Sequence, residues 1–357
     1  MIILVIIASL ALTYGFSYAK VGGPCNACHT MHNSQDGTAM NYNGDPDPNA
    51  YLLRGDCLGC HAQHTASNIV NSIPQVYHTN AQDLAGGNFD YVNTSDTYGH
   101  NIVGLFVGNI DDVLTNYPPG YNTNYDPSSA GFGMTTQVRC AGAYGCHGNR
   151  DNTDENGAIF GAHHFDDSVL KFGSIADASQ GQYVGNSYRF LYRVRGGENT
   201  SWLNIANNNH NEYRGAAYAS RSSQNYTWGD GDCVTTISDL CAECHGMFHL
   251  SGSGGIGIAS PWLRHPTDAV IPNTGEYNTI TTAGGYDYDE TPVGRQTVPN
   301  AISQNVTLNS DVVICLSCHG AHGTAYQDLL KWNYINTSGG MPQGSGCTYC
   351  HTGKDGY

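Results

Sequence analysis

Five times in this chain a cysteine is followed, after two residues, by a second cysteine and then at once by histidine: Cys25/Cys28/His29, Cys57/Cys60/His61, Cys241/Cys244/His245, Cys315/Cys318/His319 and Cys347/Cys350/His351. With 13 cysteines and 16 histidines among 357 residues, chance supplies about 0.02 such triplets. Two thiols one helical turn apart can each bond a haem vinyl group while the adjoining imidazole turns to the iron. A zinc ribbon has no use for a histidine after every second cysteine. The repeat is therefore read as c-type haem attachment, with His29, His61, His245, His319 and His351 as proximal ligands. The competing reading, a zinc or disulfide scaffold, predicts a colourless protein.

A sixth site is irregular. Cys140-Ala-Gly-Ala-Tyr-Gly-Cys146-His147 has five residues between its thiols, three more than usual. Three extra residues are close to one helical turn, so Cys146 and the proximal His147 regain their facing if the glycine-rich insert loops out. The alternative pairs Cys140 with Cys233, the one cysteine outside every motif, and leaves a single thioether at Cys146.

Six proximal ligands leave ten histidines: His32, His64, His78, His100, His163, His164, His210, His249, His265 and His322. Six suffice for bis-histidine ligation throughout, and none of the six methionines stands in a sequence that recommends it. Haems closed on both faces carry electrons, since substrate chemistry needs a vacant iron position. His32, His64 and His322 each lie three residues beyond a proximal histidine. One turn on, a side chain cannot reach the far face of its own haem, so it would serve a neighbouring one. His64 is expected not to ligate, and neither is His210, which sits in the polar run Asn207-Asn208-Asn209-His210-Asn211.

The rest of the sequence offers little else to build a core. Hydrophobic residues are 39% and charged residues 12%, while Gly (45) and Tyr (24) are abundant. Six buried macrocycles, at about 25 cal/mol per Å² of apolar surface, would replace the missing aliphatic mass. The expected fold is thus a multihaem cytochrome c, mostly coil and turns, with short helices at the haem motifs and few short strands, wrapped around a haem stack. Helix is expected over Ser238 to His245 and over part of Leu316 to Trp332. Ile2 to Leu12 is an apolar stretch too short to span a bilayer, followed by Ser17-Tyr18-Ala19, which reads as an export signal over residues 1–19. One hexahaem domain is expected over 20–357, with no membrane span. A formal net charge of -16 argues against nucleic acid and anionic membranes as partners and leaves cationic or mineral ones. Gly252 to Gly257 only faintly evokes a phosphate cradle, because no strand precedes it.

The sequence resembles the OmcS-like family, hexahaem outer-membrane cytochromes of metal-reducing bacteria that polymerise into extracellular filaments, or nanowires. The resemblance runs nearly end to end. It rests on Cys28-His29-Thr-Met-His32-Asn-Ser with Ala39-Met40-Asn41, on Gly86-Gly87-Asn88-Phe89, on Gly99-His100-Asn101-Ile102-Val103, on Leu263-Arg264-His265-Pro266, and on Cys315-Leu-Ser-Cys318-His319 with Ala321-His322. It implies a loop-built chain around haems stacked in alternating parallel and T-shaped pairs. It further implies that His32 ligates a haem of the next subunit, that of Cys315/Cys318/His319, and that His78, His100, His265 and His322 are distal ligands. A heterologous bond of this kind does not close, which gives an open head-to-tail filament. The stretched third motif departs from the family, which has ordinary spacing there and a histidine three residues on. His163 or His164 would supply the missing imidazole, with His249 as competitor.

The resulting expectation is a secreted electron carrier, no enzyme, binding six covalent haem c groups and passing electrons through a homopolymer to redox partners or acceptors such as metal oxides. The rivals are a monomeric periplasmic or surface shuttle and a multihaem reductase whose open haem would be that of Cys140/Cys146/His147.

Overall fold

The computed structural model describes residues 23–42, 44–106, 118–121, 137–165, 181–199, 201–203, 210–217, 235–249, 265–280, 286, 288–296, 299, 301–334 and 346–352. The export-signal reading of residues 1–19, Cys233, the His249 side chain and the glycine run at 252–257 lie outside them. Among the described residues no helix is long and apolar enough to cross a membrane.

Regular structure is short wherever it is described: no strand exceeds three residues and no helix six. Two tight hairpins come first. β1 (Ser34–Gln35) pairs with β2 (Thr38–Ala39) through Asp36 and Gly37, whose φ values of 53° and 78° are those of the Asp-Gly turn that matches strand twist. β3 (Ile69–Val70) pairs with β4 (Ile73–Pro74) through Asn71 and Ser72, also at positive φ. β5 (Arg139–Ala141) and β6 (Gly145–His147) run parallel. A four-stranded sheet follows, in the order β10 (Val312–Val313), β9 (Val293–Arg295), β8 (Glu212–Arg214), β7 (Gly196–Gly197), with β8 and β9 parallel.

That sheet carries a polypeptide core that the composition did not announce. Tyr188, Leu191, Val194, Tyr213, Ala217, Ile237, Leu240, Val312, Ile314 and Leu316 are buried against one another. Smaller clusters gather Phe89, Val92, Ile102 and Phe106, and Ile271, Ile280, Tyr288 and Val293. The expectation that haem burial alone would stand in for a core is corrected to this extent. Arg295 is buried at the centre of the sheet, its Nε 2.8 Å from Glu212 and its Nη1 2.5 Å from Asp311.

Most motifs open on a short helix. Cys57–His61 is α-helical, started by Asp56, whose side chain accepts the Gly59 amide at 2.7 Å. Ile237–Ala242 is capped by Thr236 and leads into Cys244 and His245. Gly346–Cys350 forms the last. The first and fifth motifs are 3-10 turns, Cys25–Ala27 and Cys315–Ser317. The helix expected within Leu316 to Trp332 does not form beyond turns at Cys315–Ser317 and Gln327–Leu329, because Asp328 and Leu329 adopt positive φ and the Gly320 and Gly323 backbones pack edge-on against other segments.

Candidate haem sites and their histidine pairs

Each of the six motif histidines has its ring fixed by a bond at Nδ1. His29 meets the Tyr51 carbonyl at 3.1 Å, His61 that of Pro74 at 2.9 Å, and His147 that of Arg189 at 2.9 Å. His245 meets the Pro119 carbonyl at 2.7 Å and His319 that of Asp328 at 2.8 Å, whereas His351 meets Glu276 Oε1 at 2.9 Å. A carbonyl or carboxylate oxygen can only accept, so Nδ1 carries the proton and Nε2 keeps the lone pair a metal needs. This is the outer-shell arrangement of metal-ligating histidine.

Opposite five of these rings stands a second imidazole. Ring centroids are 6.1 Å apart for His29 and His164, 6.4 Å for His61 and His163, 6.3 Å for His147 and His322, 6.3 Å for His245 and His100, and 6.1 Å for His351 and His265. An iron bonded to both nitrogens at about 2.0 Å, with each nitrogen about 1.1 Å from its ring centre, sets centroids roughly 6.2 Å apart. Rings in direct stacking contact would sit closer, as His64 and Tyr77 do at 4.0 Å. The residues therefore fit a haem iron between the members of each pair. His100 and His265 use the same tautomer as the proximal set, donating Nδ1–H to the carbonyls of Ala321 at 2.7 Å and Pro266 at 2.9 Å.

The distal histidines are themselves tied together. His163 and His164 are adjacent in the 3-10 turn Ala162–His164 and face different motifs. His100 N donates to the His322 carbonyl at 3.1 Å and His322 N to that of Gly86 at 2.7 Å. A Cβ on Gly86 would lie 3.0 Å from the His322 ring, and one on Gly87 would overlap the Gly323 carbonyl, so Gly86-Gly87 is what lets this ring sit where it does. Burial, then the nearby His147, pulls the His322 pKa down to about 3. Burial and then His100 lower that of His245 to about 4.

The stretched third motif resolves through strand register. Arg139 lies opposite Gly145 and Ala141 opposite His147, which puts Cys140 across from Cys146, about 4.8 Å away backbone to backbone and on the same face. That separation is close to the rise of one helical turn, the spacing Cys-x-x-Cys achieves elsewhere. The insert forms the 3-10 turn Gly142–Tyr144, entered at Gly142 with φ of 79°. Glu155 Oε1 accepts the amides of Cys140 and Ala141 at 3.0 and 3.3 Å, holding the strand. Cys140 shares a hydrogen bond with Cys57, and this, more than burial, raises its pKa.

Motif thiols neighbour one another in chain order. Burial and then Cys28 push Cys60 up to about 11; burial and then Cys244 do the same to Cys146. Cys241 is raised chiefly by its hydrogen bond with Cys315. Burial, then Cys347 and Cys350, push Cys318 up to about 12. With the Cys57 to Cys140 contact, every consecutive pair of motifs from first to sixth is linked. Among the described residues no three of His, Cys, Asp and Glu converge where a metal ion could be held.

The remaining histidines differ. His78 is fully buried, but its Nδ1 accepts from the Asn80 amide at 3.2 Å and faces the Asn88 amide nitrogen at 3.3 Å. Its buried Nε2 has no hydrogen-bond partner among the described residues, and His78 is in none of the five pairs. Both His163 and His164 face motif histidines, where one of them was expected to. His64 bonds Asp90 at 2.8 Å. His210 faces no motif histidine either; yet the polar-loop expectation fails there, because it is fully buried against Tyr288 at 4.0 Å. His32 is exposed, as is His319. Missed altogether were Glu276 and the carbonyls of Tyr51, Pro74, Pro119, Arg189 and Asp328. Backbone acceptors have no residue signature, and Glu276 lies far from any motif in sequence.

Residues 309–356, which span the fifth and sixth motifs, match the family described as "Doubled CXXCH motif". The chain is 23% identical to "C-type cytochrome OmcS" of Geobacter sulfurreducens, over 87% of this chain and 78% of that one. Two solved filament structures align with it: OmcS nanowires of Geobacter sulfurreducens by cryo-EM, at 21% identity, TM-score 0.47, covering 88% and 84% of the two chains, and the Outer Membrane Cytochrome S filament, at 21% identity, TM-score 0.46, covering 89% and 85%. Sequence likeness and motif chemistry together mark this chain as similar to OmcS and support covalently bound c-type haem.

Proposed function

We propose that the protein carries electrons along six bis-histidine haems, arranged in chain order and continued from one subunit to the next in an extracellular filament. The observation that carries this reading is the set of five imidazole pairs at iron-spanning distance. Thioethers would form at Cys25/Cys28, Cys57/Cys60, Cys140/Cys146, Cys241/Cys244, Cys315/Cys318 and Cys347/Cys350. Haem supplies the one-electron chemistry when bound. The chain's own residues fix each motif imidazole by its Nδ1 bond, would close both faces of the iron at the five paired sites, and set consecutive sites side by side through the Cys57 to Cys140 and Cys241 to Cys315 contacts.

The count leaves one ligand short. His319 faces no imidazole among the described side chains, and His32 is exposed with none opposite it. A bond from His32 to the fifth haem of the next subunit satisfies both and repeats without closing. His322 opposite His147 supports a third site closed on both faces over the open haem a reductase needs. The acceptor is read as an extracellular oxidant such as a metal oxide, which the net charge of -16 does not oppose as it would a nucleic acid.

Intact mass, EPR and electron microscopy of the secreted protein test this together. Six haems, low-spin signals throughout and filaments are expected. His32→Ala should retain all six haems, leave one high-spin and yield discrete particles. Wild-type protein that stays discrete with every haem low-spin would sink the trans bond.

A further inference from the structure

Five motif histidines turn Nδ1 toward a main-chain carbonyl, and the sixth turns it toward a charge. His351 Nδ1 lies 2.9 Å from Glu276 Oε1, with the Tyr277 hydroxyl more distant at 3.4 Å. The contact is shielded, the two side chains being 14% and 23% exposed. It is also braced: Glu276 belongs to the 3-10 helix Gly275–Thr279, and its carbonyl accepts the hydroxyl of Thr352, the residue directly after His351. On the other face His265 donates to the Pro266 carbonyl, so the asymmetry belongs to one ligand of one site.

We propose that Glu276 is a potential-tuning residue that holds the haem of the sixth motif at a lower reduction potential than a carbonyl partner would. This rests on His351 ligating that haem, as put forward above. A hydrogen bond to a charged acceptor is roughly twice as strong as a neutral one. It draws the Nδ1 proton toward the carboxylate, raises the basicity of Nε2 and so favours ferric over ferrous iron. In the step concerned, one electron arrives from the neighbouring haem and reduces ferric iron to ferrous. No covalent bond breaks and no proton is taken up, so the negative charge of Glu276 opposes the added electron directly. The two ends of the haem series are therefore unequal, since His29 at the other end leans on the neutral carbonyl of Tyr51.

Spectroelectrochemical titration of the full-length, haem-loaded protein and its Glu276→Gln variant decides it. Glutamine keeps an acceptor of the same shape without the charge. One component, a single-haem fraction of the amplitude, should move to a more positive potential while the others stay, and Glu276→Asp should return it part of the way. Superimposable titrations in two fully loaded proteins overturn the tuning while leaving the ligation reading intact. Intact mass showing wild-type protein without the sixth haem overturns both. Should Glu276→Gln lose that haem, potentiometric EPR of the wild type decides instead: a lowest-potential component with the narrowed g-spread of a strongly basic imidazole supports the proposal, and components alike in that spread overturn it.

Discussion

The first motif and the fourth and fifth are held by opposite means. From residue 23 to residue 60 the only buried residues among those described are Asn33 and Asn41, two amides that clamp the carbonyls of Asp45 and Asp47. The fourth and fifth motifs grow instead from the sheet core, where Leu240, Ile314 and Leu316 are buried within one or two residues of their cysteines. Around the first motif large apolar groups are left outside: Met31 is 80% exposed and Phe160 72%, and Leu52 and Tyr51 are about half exposed. A region with so few buried apolar contacts has low local stability. Cohesion at the first motif must therefore come from its haem and from whatever covers that surface, whereas the sheet region is cohesive as polypeptide.

The largest test of that contrast is Arg295→Met. It leaves Glu212 and Asp311 buried without their cation, and removing one partner of a buried ion pair costs about 3–5 kcal/mol. Chemical denaturation should show the sheet region unfolding earlier by this amount, with the spectrum of the first haem unchanged below that transition. A loss under about 1 kcal/mol would mean that the sheet is not the anchor.

Next comes Gly145→Ala. A Cβ there would press on the Ala141 amide and the Arg139 carbonyl across the parallel pair, an overpacking worth about 1–3 kcal/mol. Because the register is what brings Cys140 to Cys146, the variant should retain the third haem by one thioether only. Mass spectrometry of tryptic peptides reads this directly, and an intact double linkage would show that register is not what sets the spacing.

A smaller effect is graded with pH. His245 at about 4 and His322 at about 3 lie below the unfolded value of roughly 6.5. Between those values the unfolded chain binds more protons, so stability is fully present above about pH 6.5 and is lost as pH falls toward 4 and then 3. Iron and proton compete for the same Nε2, which works in the same direction. The denaturation midpoint should thus fall steadily from pH 6.5 to 4; a midpoint that holds or rises across this window contradicts the burial of these two rings.

What the sequence made legible was whatever is local. The motifs, their proximal histidines and the sparse regular structure follow from spacing and composition. Even the third motif's irregular insert could be foreseen as a loop, because Gly142 and Gly145 allow it. The pairing of His29 with His164 and His61 with His163 could not be foreseen, since it depends on a fold that brings together residues 135 and 102 positions apart. The sheet core escaped notice because its strands are two or three residues long, too short to display the alternation that marks a buried face.

The smallest effect sharpens the contrast most. Phe160 stands 5.3 Å from Tyr51, ring centre to ring centre. Tyr51 supplies the carbonyl that orients His29, and Phe160 precedes His164, the ring opposite His29, by four residues. The aromatic pair thus joins from outside the two segments that close the first site. Being 72% exposed, Phe160 gains little from this contact in a single subunit, and Phe160→Ser should change its unfolding free energy by no more than about 0.5 kcal/mol. If the surface is covered by a neighbour, the same substitution removes a buried aromatic anchor, a change of about 2 kcal/mol or more for a residue of this kind, and the assembled form should dissociate at markedly higher concentration. Equal small effects in both measurements would leave the exposed rim of the first motif as solvent-facing surface, and would return the question of what stabilises that region to the haem alone.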